Sequence, residues 1–163
     1  MAVVLLFSAG PLVAQTTVWV DDDNCPTIGN GTQEDSDGDG PGNACDCDSA
    51  NDQVWATPGE VNGLTLDHDE VSGQTTLTWT APLVFGSTQM RYDSMRSTDP
   101  SDFLSQGLCL ETDSTVATSS DVENPLPGRS FDYLVRSEND CPLGGGNPGT
   151  GSYGYPRSLA ECP

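Results

Sequence analysis

The chain has 163 residues, enough for one domain of ordinary size and a smaller appendage. Only 34% of the residues are hydrophobic, and 18 glycines and 12 prolines indicate a chain rich in turns and loops. The formal charge of −20 comes from 25 acidic residues against five basic ones, all of them arginine. Nucleic acid and anionic membrane surfaces carry the same sign of charge, so the composition excludes both as partners and favours cations.

Residues Met1–Gln15 are predicted to be an export signal. An apolar run, Ala2–Phe7, is followed by a Gly10-Pro11 break and by small residues suited to a cleavage site. No lysine or arginine precedes the run, which departs from the usual basic start of such a signal. The alternative is an N-terminal strand that is retained and buried in the fold or in a partner. The run is too short to cross a bilayer.

The β-prone run Thr16–Val20 leads into a strongly acidic segment. Between Thr16 and Asp52 there are ten carboxylates and no basic residue. Charges of one sign at this density oppose a compact structure. We therefore expect the segment to need bound metal in order to fold.

Residues 35–46 read DSDGDGPGNACD and match the ligand spacing of a calcium loop. Gly40 stands at the sixth position, where the backbone of such a loop turns sharply. The predicted calcium ligands are Asp35, Asp37, Asp39, Pro41 (through its carbonyl), Asn43 and Asp46. A solvated linker is the alternative, because Asp-Gly alternation is also typical of disordered acidic segments.

The surrounding stretch, DNCPTIGNGTQEDSDGDGPGNACD from Asp23, resembles a thrombospondin type 3 repeat. The residues that carry the likeness are Asn24 to Pro26, Asn30, Gln33, the acidic triplet, and Ala44 to Asp46. The resemblance implies a coil wound around calcium ions, with little hydrophobic core and with a Cys25–Cys45 disulfide. The family usually strings several repeats together, whereas one is found here. We therefore expect it to hold one or two ions and to depend on its neighbour for rigidity.

The six cysteines form an even set, which predicts up to three disulfides and an oxidising compartment. Zinc is the less favoured interpretation, because one residue separates Cys45 from Cys47 and the only histidine, His68, is distant in sequence. After the first pairing, three connectivities remain open for the other four cysteines, Cys47, Cys109, Cys141 and Cys162.

From Pro58 the charge thins out and short alternating runs begin, which predicts an antiparallel β domain. The predicted strands are Val61–Leu66, Thr75–Thr80, Met90–Arg96, Leu108–Glu111, Thr115–Thr118, Phe131–Ser137 and Ser152–Ala160, the last after a glycine-rich loop at Gly144–Gly151. In the second strand, Leu77 and Trp79 are predicted to point inward and the threonines outward. Seven short strands favour a two-sheet sandwich.

The order of several features between Pro58 and Pro163 resembles a fibronectin type III domain. These features are Trp79, Ala81-Pro82, the Pro127-Gly128 turn, the Tyr133/Val135 alternation and Asn139. The resemblance implies a seven-stranded immunoglobulin-like sandwich. Phe131 departs from the family, which usually has a tyrosine there whose hydroxyl bonds to the backbone of the preceding corner. Cysteines are also foreign to most members.

The sequence as a whole predicts a mainly β protein, with a calcium repeat and linker at residues 16–57 and a fibronectin-like sandwich at residues 58–163. No nucleophile elbow, phosphate-binding loop, zinc-protease helix or dinucleotide-binding glycine pattern is present in the sequence. His68 is predicted to be an exposed turn residue. We expect a secreted, non-enzymatic structural or adhesive module with Ca²⁺ as its cofactor.

Two other functions remain open at this point. The aromatic residues Trp55, Tyr153 and Tyr155 would suit stacking on sugar rings, which indicates a polysaccharide-binding accessory module. Alternatively, a retained Ala2–Phe7 strand would pair with a neighbouring chain in an extracellular filament.

Overall fold

The computed structural model describes residues 23–142, 146–151 and 153–163. The predicted export signal Met1–Gln15 and the Thr16–Val20 run lie outside the described residues. Within the described ranges the secondary structure is entirely β. No helix of the described chain is long and apolar enough to cross a membrane.

Seven strands form two antiparallel sheets that face each other. They are β1 (Asn62–Asp69), β2 (Gln74–Thr80), β3 (Arg91–Ser97), β4 (Leu108–Ser114), β5 (Thr118–Asp121), β6 (Asp132–Glu138) and β7 (Gly146–Asn147). One sheet has the order β1-β2-β5 and the other the order β4-β3-β6-β7. This strand order is that of a fibronectin type III-like sandwich, so the predicted fold class is confirmed.

The centre of the sandwich is built by alternating side chains of β2, β3 and β6. Leu77 and Trp79 are buried while Thr78 and Thr80 are exposed, as predicted for the second strand. Thr75 was also predicted to point outward but is buried, because it lies on the same face of the strand as Leu77 and Trp79. Tyr92 meets Trp79 edge to face, with ring centroids 5.4 Å apart, and Val135 completes the buried cluster.

A second apolar cluster covers the outer face of the larger sheet. Met95 and Leu134 point away from the sandwich interior and pack with Phe103, from the loop between β3 and β4. The C-terminal segment closes this cluster, through Leu159 and through the disulfide between Cys162 and Cys109. Strand β3 is therefore buried on both faces.

The prediction of a last strand at Ser152–Ala160 is wrong. The last strand is β7, two residues long, and it lies inside the stretch predicted to be a glycine-rich loop. The chain beyond β7 turns back on itself, with the Gly151 N–H donating to the Tyr155 carbonyl at 2.9 Å, and then crosses the outer face of the sheet. Its apolar residues pack on that cluster and do not extend the sheet.

The fifth strand also differs from its predicted position at Thr115–Thr118, because it runs over Thr118–Asp121. Its inward side chains are polar and have polar partners across the sandwich. The Ser119 hydroxyl lies 2.7 Å from that of Ser94, and Asp121 pairs with Arg96 at 2.8 Å. No apolar alternation marks such a strand in the sequence.

Candidate metal centre

A disulfide and a backbone hydrogen bond hold together the two ends of residues 23–46, the segment predicted to be a calcium repeat and called the repeat below. Cys25 and Cys45 are disulfide-bonded with their Cα atoms 5.6 Å apart, as the resemblance implied. The Gly42 N–H donates to the Asn24 carbonyl at 2.9 Å. A Cβ at Gly42 would collide with the end of the Asn24 side chain, so any larger residue at this crossing would have to displace that side chain from its hydrogen bonds.

The interior of the repeat contains hydrogen-bonded amide side chains, where the interior of the sandwich contains apolar ones. Asn30 donates from Nδ2 to Asn24 Oδ1 at 2.6 Å, and Asn24 donates from Nδ2 to the Gln33 carbonyl at 3.1 Å. The Gln33 side chain in turn accepts at Oε1 from the Asn24 N–H at 2.9 Å. Asn24, Asn30 and Gln33 therefore form a closed polar network that positions the acidic loop.

The acidic loop turns around the side chain of Asp35. Its two carboxylate oxygens accept from the N–H groups of Gly38 at 2.8 Å and Gly40 at 3.2 Å. Both glycines have positive φ, +81° and +116°, which a residue with a Cβ adopts only with strain. The sharp turn predicted at Gly40 is present.

Carboxylate oxygens converge inside this turn. Asp35, Asp37 and Asp39 each offer one oxygen, and these oxygens lie within 4.8 Å of one another. Four buried carboxylate oxygens have no hydrogen-bond partner in the described part of the chain: Oδ2 of Asp37, both oxygens of Asp39 and Oδ2 of Asp46. Buried polar atoms are almost always paired, so unpaired hard oxygens in this number fit the ligand set of a hard cation.

The electrostatics of the turn are unfavourable for carboxylates alone. Burial, followed by the charges of Asp37, Asp46, Asp35 and Asp52, raises the pKa of Asp39 to about 6 from its usual 3.8. A carboxyl group in this position resists ionisation unless a positive charge is close to it.

The remaining predicted ligands have other contacts in the structure. Asn43 accepts at Oδ1 from the Ser36 N–H at 2.8 Å and donates from Nδ2 to the Ser36 hydroxyl at 2.7 Å. Asp46 accepts at Oδ1 from the Asp48 N–H at 2.9 Å and keeps its other oxygen buried and unpaired. Pro41 is half-buried at the seventh position. The ligand roles of all six residues, Asp35, Asp37, Asp39, Pro41, Asn43 and Asp46, stay predictions.

The residue after Asp46 ties the loop to the sandwich. Cys47 is disulfide-bonded to Cys141, which follows β6, with Cα atoms 5.8 Å apart. Of the three connectivities left open by the sequence, the structure therefore has the one that pairs Cys47 with Cys141 and Cys109 with Cys162. No local signal in the sequence distinguishes this pairing, because the two cysteines are 94 positions apart.

The linker reinforces this junction through its backbone. The N–H groups of Trp55 and Ala56 both donate to the Gly86 carbonyl, at 2.8 and 2.9 Å. The Asn139 side chain donates to the Ala56 carbonyl at 2.8 Å. Gly86 has a φ of +68°, and a Cβ there would stand 1.9 Å from the Ala56 carbonyl oxygen. This glycine and Cys141 are junction residues that sequence reasoning missed.

The histidine and the aromatic residues that the sequence suggested as candidates are not part of the acidic loop. His68 is exposed as predicted, but it lies in β1 and not in a turn, and its Nδ1 is 2.9 Å from the Thr75 hydroxyl. Tyr153 and Tyr155 are 92% and 76% exposed, whereas Trp55 is half-buried in the linker.

Comparison with known proteins gives a limited result. No protein-family model matches the chain, and no curated protein matches it in sequence. A solved structure described as an Fn3-like protein from Clostridium thermocellum is similar to it, at 22% identity and a TM-score of 0.42. The similarity covers 53% of this chain and 81% of that one. The fold assignment above rests on the strand order and not on this similarity.

Proposed function

We propose that the protein is a non-enzymatic extracellular module, structural or adhesive, whose N-terminal repeat binds calcium. One observation carries the proposal: four buried carboxylate oxygens of Asp37, Asp39 and Asp46 have no hydrogen-bond donor in the described chain. Divalent calcium held there would supply the missing positive charge and accept these oxygens as ligands. Asp35 would join them as the residue that shapes the turn.

The role that follows from this site is mechanical. Asp46 is flanked by Cys45 and Cys47, and their disulfides run to the start of the repeat and to the end of β6. A loop that is ordered at Asp46 is therefore ordered relative to the sandwich as well. The backbone bonds of Trp55 and Ala56 to Gly86 hold the same junction. Together they make the repeat and the sandwich one stiff unit.

The extracellular location is supported by the cysteines. All six are paired in the described structure, and disulfides persist in oxidising compartments. Single calcium loops of extracellular modules have dissociation constants on the order of 10⁻⁴ to 10⁻³ M. A site of that affinity is filled outside a cell and empty inside it, which fits a secreted protein.

Calorimetry on the chelated full chain tests the proposal. We expect saturable heat on titration with millimolar Ca²⁺, and its loss in the Asp39→Asn variant, which removes the central charge. Asp67→Asn is the matched control, because it makes the same change on the exposed face of β1 and should bind like the original chain. No heat with the original chain, or equal binding by both variants, would overturn the proposal.

A polysaccharide-binding role is the second candidate, and one observation favours it. Tyr155 lies 76% exposed on the wall of a cleft of about 560 Å³ that Pro100, Phe103 and Leu104 also line. Exposed aromatic rings beside a cleft suit stacking on sugar rings. Binding on a glycan array that is lost in Tyr155→Ala, and kept in a Leu83→Ala control, would support this role.

A further inference from the structure

The outer apolar cluster of the sandwich is covered by residues 158–163, called the strap below. Met95, Phe103 and Leu134 form the centre of this cluster and are at most 7% exposed. The strap supplies three of the four partly buried apolar side chains that pack against them. A segment that belongs to none of the seven strands therefore shields this face of the larger sheet from water.

The strap makes few non-covalent contacts of its own. None of its residues is buried, and Leu159 and Ala160 are only half-buried. Its backbone meets the loop before β4 at Phe103, where the Ala160 N–H donates to the Phe103 carbonyl at 3.1 Å. Segments with few buried contacts and isolated backbone bonds open easily, so these contacts alone hold the strap weakly.

The polar contacts of the strap lie at the surface. Glu161 accepts from Arg136 at 2.9 Å, but its side chain is 84% exposed, and an ion pair so open to water contributes little. The Thr112 hydroxyl donates to the Pro163 carbonyl at 3.1 Å, also in an exposed position. The disulfide from Cys162 to Cys109 in β4 is therefore the main attachment of the strap.

This disulfide is the only one of the three in which neither cysteine is buried. Cys109 and Cys162 are both half-buried, whereas Cys25 and Cys141, which belong to the other two, are 0% and 4% exposed. A thiolate must reach a sulfur atom in order to reduce a disulfide, and exposed disulfides are the labile ones. Reduction of the protein should therefore begin at the strap.

We infer that the Cys109–Cys162 disulfide is a redox switch that covers and uncovers the outer face of the larger sheet. A thiolate of a dithiol reductant attacks one of the two sulfur atoms, the S–S bond breaks, and the other cysteine leaves as a thiolate that takes up a proton. The second thiol of the reductant, as its thiolate, then attacks the mixed disulfide. The reductant becomes a disulfide, and both cysteines become thiols.

The open state differs from the closed one only on the outer face. Once the strap leaves, Met95, Phe103 and Leu134 are exposed to solvent. The two sheets stay together, because the central cluster around Leu77 and Trp79 lies on the opposite side of the larger sheet and contains no cysteine. Exchange with an oxidised dithiol runs the same steps backwards and covers the face again.

Limited reduction of the full chain with dithiothreitol, followed by alkylation and peptide mass spectrometry, shows which disulfide opens first. We expect Cys109 and Cys162 to be alkylated at least tenfold faster than Cys25 and Cys141. Amide exchange in residues 158–162 should become roughly tenfold faster at the same time, while exchange in β2 and β6 stays unchanged. Earlier reduction of either of the other disulfides would overturn the inference.

Two double variants test the switch without a reductant. Cys109→Ser, Cys162→Ser should show fast exchange in the strap and should bind the apolar dye ANS more strongly than the original chain, because Met95 is uncovered. Cys25→Ser, Cys45→Ser is the matched control, since it removes a disulfide from the repeat, and its strap should stay protected. A protected strap in the first variant, or equal exchange of the strap in both, would overturn the inference.

Discussion

The repeat and the sandwich are stabilised in different ways although a disulfide and backbone hydrogen bonds join them. The sandwich has a central cluster of Leu77, Trp79, Tyr92 and Val135, each at most 7% exposed. In residues 23–52 the only buried hydrophobic side chain is Cys25, and it is part of a disulfide. Apolar burial therefore stabilises the sandwich, while crosslinks and amide networks, and in our proposal a bound cation, stabilise the repeat.

This difference predicts how each region responds to reducing agents and to removal of divalent ions. Burial of apolar surface is insensitive to redox potential and to divalent ions, so the central cluster of the sandwich should tolerate changes in both. A disulfide is lost under reducing conditions, and a metal site is lost on chelation. The repeat should therefore respond to both conditions, whereas in the sandwich only the outer cluster, which the Cys109–Cys162 disulfide closes, should respond to reduction.

The largest effect is expected from Leu77→Ala. Leu77 is completely buried, and truncating such a side chain costs about 2–5 kcal/mol of unfolding free energy. The loss should fall on the sandwich. Urea unfolding, followed by tryptophan fluorescence, measures it. Calcium binding by the variant under folding conditions should be unchanged, and lost binding there would mean that the two regions are not stabilised separately.

Removal of the repeat's own disulfide is expected to have the next largest effect. The Cys25–Cys45 bond spans 20 positions, and closing a loop of that size restrains the unfolded chain by about 3 kcal/mol. The double variant Cys25→Ser, Cys45→Ser should lose amide protection in residues 23–46 and keep it in β2, β3 and β6. Equal loss in both regions would contradict the comparison.

The parts that sequence reasoning predicted are those whose chemistry is local. The acidic loop is specified by ligand spacing within twelve positions, and its turn at Gly40 was found as expected. Strands β2, β3 and β6 were also found within two residues of their predicted bounds, because apolar alternation marks them. In both cases neighbouring residues carry the whole signal.

The parts that were missed depend on distant partners. Strand β7 consists of Gly146 and Asn147, which have no β-prone side chains and are a strand only because β6 pairs with them. In β5 the inward Asp121 is compensated by Arg96, 25 positions away. The Cys47–Cys141 pairing likewise requires the folded chain to bring the two residues together.

Chelation should have a smaller and more selective effect than either substitution. At a Ca²⁺ concentration of roughly ten times the dissociation constant, binding stabilises the bound form by about 1.4 kcal/mol. Removal of Ca²⁺ with EDTA should therefore speed amide exchange about tenfold in residues 35–46. Exchange in β3 and β6 provides the internal control and should not change. Unchanged protection of residues 35–46 would contradict the proposed site.

A last effect concerns a carboxyl group of the sandwich whose environment resembles that of the acidic loop. Glu138 lies at the end of β6, 3.0 Å from Arg136, which also pairs with Asp93 and Glu161. Burial, and then the charge of Asp93, raise the pKa of Glu138 to about 7, against the opposing effect of Arg136. Here an arginine offsets the neighbouring carboxylates only in part.

This gives a pH dependence whose sign differs from that of an ordinary salt bridge. Below the unfolded pKa of 4.5, Glu138 is protonated in both states; between 4.5 and 7 the unfolded chain loses the proton first. The unfolding free energy should therefore fall as the pH rises through this window, and Glu138→Gln should remove that part of the fall. Urea unfolding of the variant and of an exposed Glu70→Gln control, at several pH values, measures the difference. If the unfolding free energies of the two variants depend on pH in the same way, the prediction is wrong. The arginines would then compensate the buried carboxylates of the sandwich fully, and the proposed contrast with the uncompensated carboxylates of the repeat would be complete.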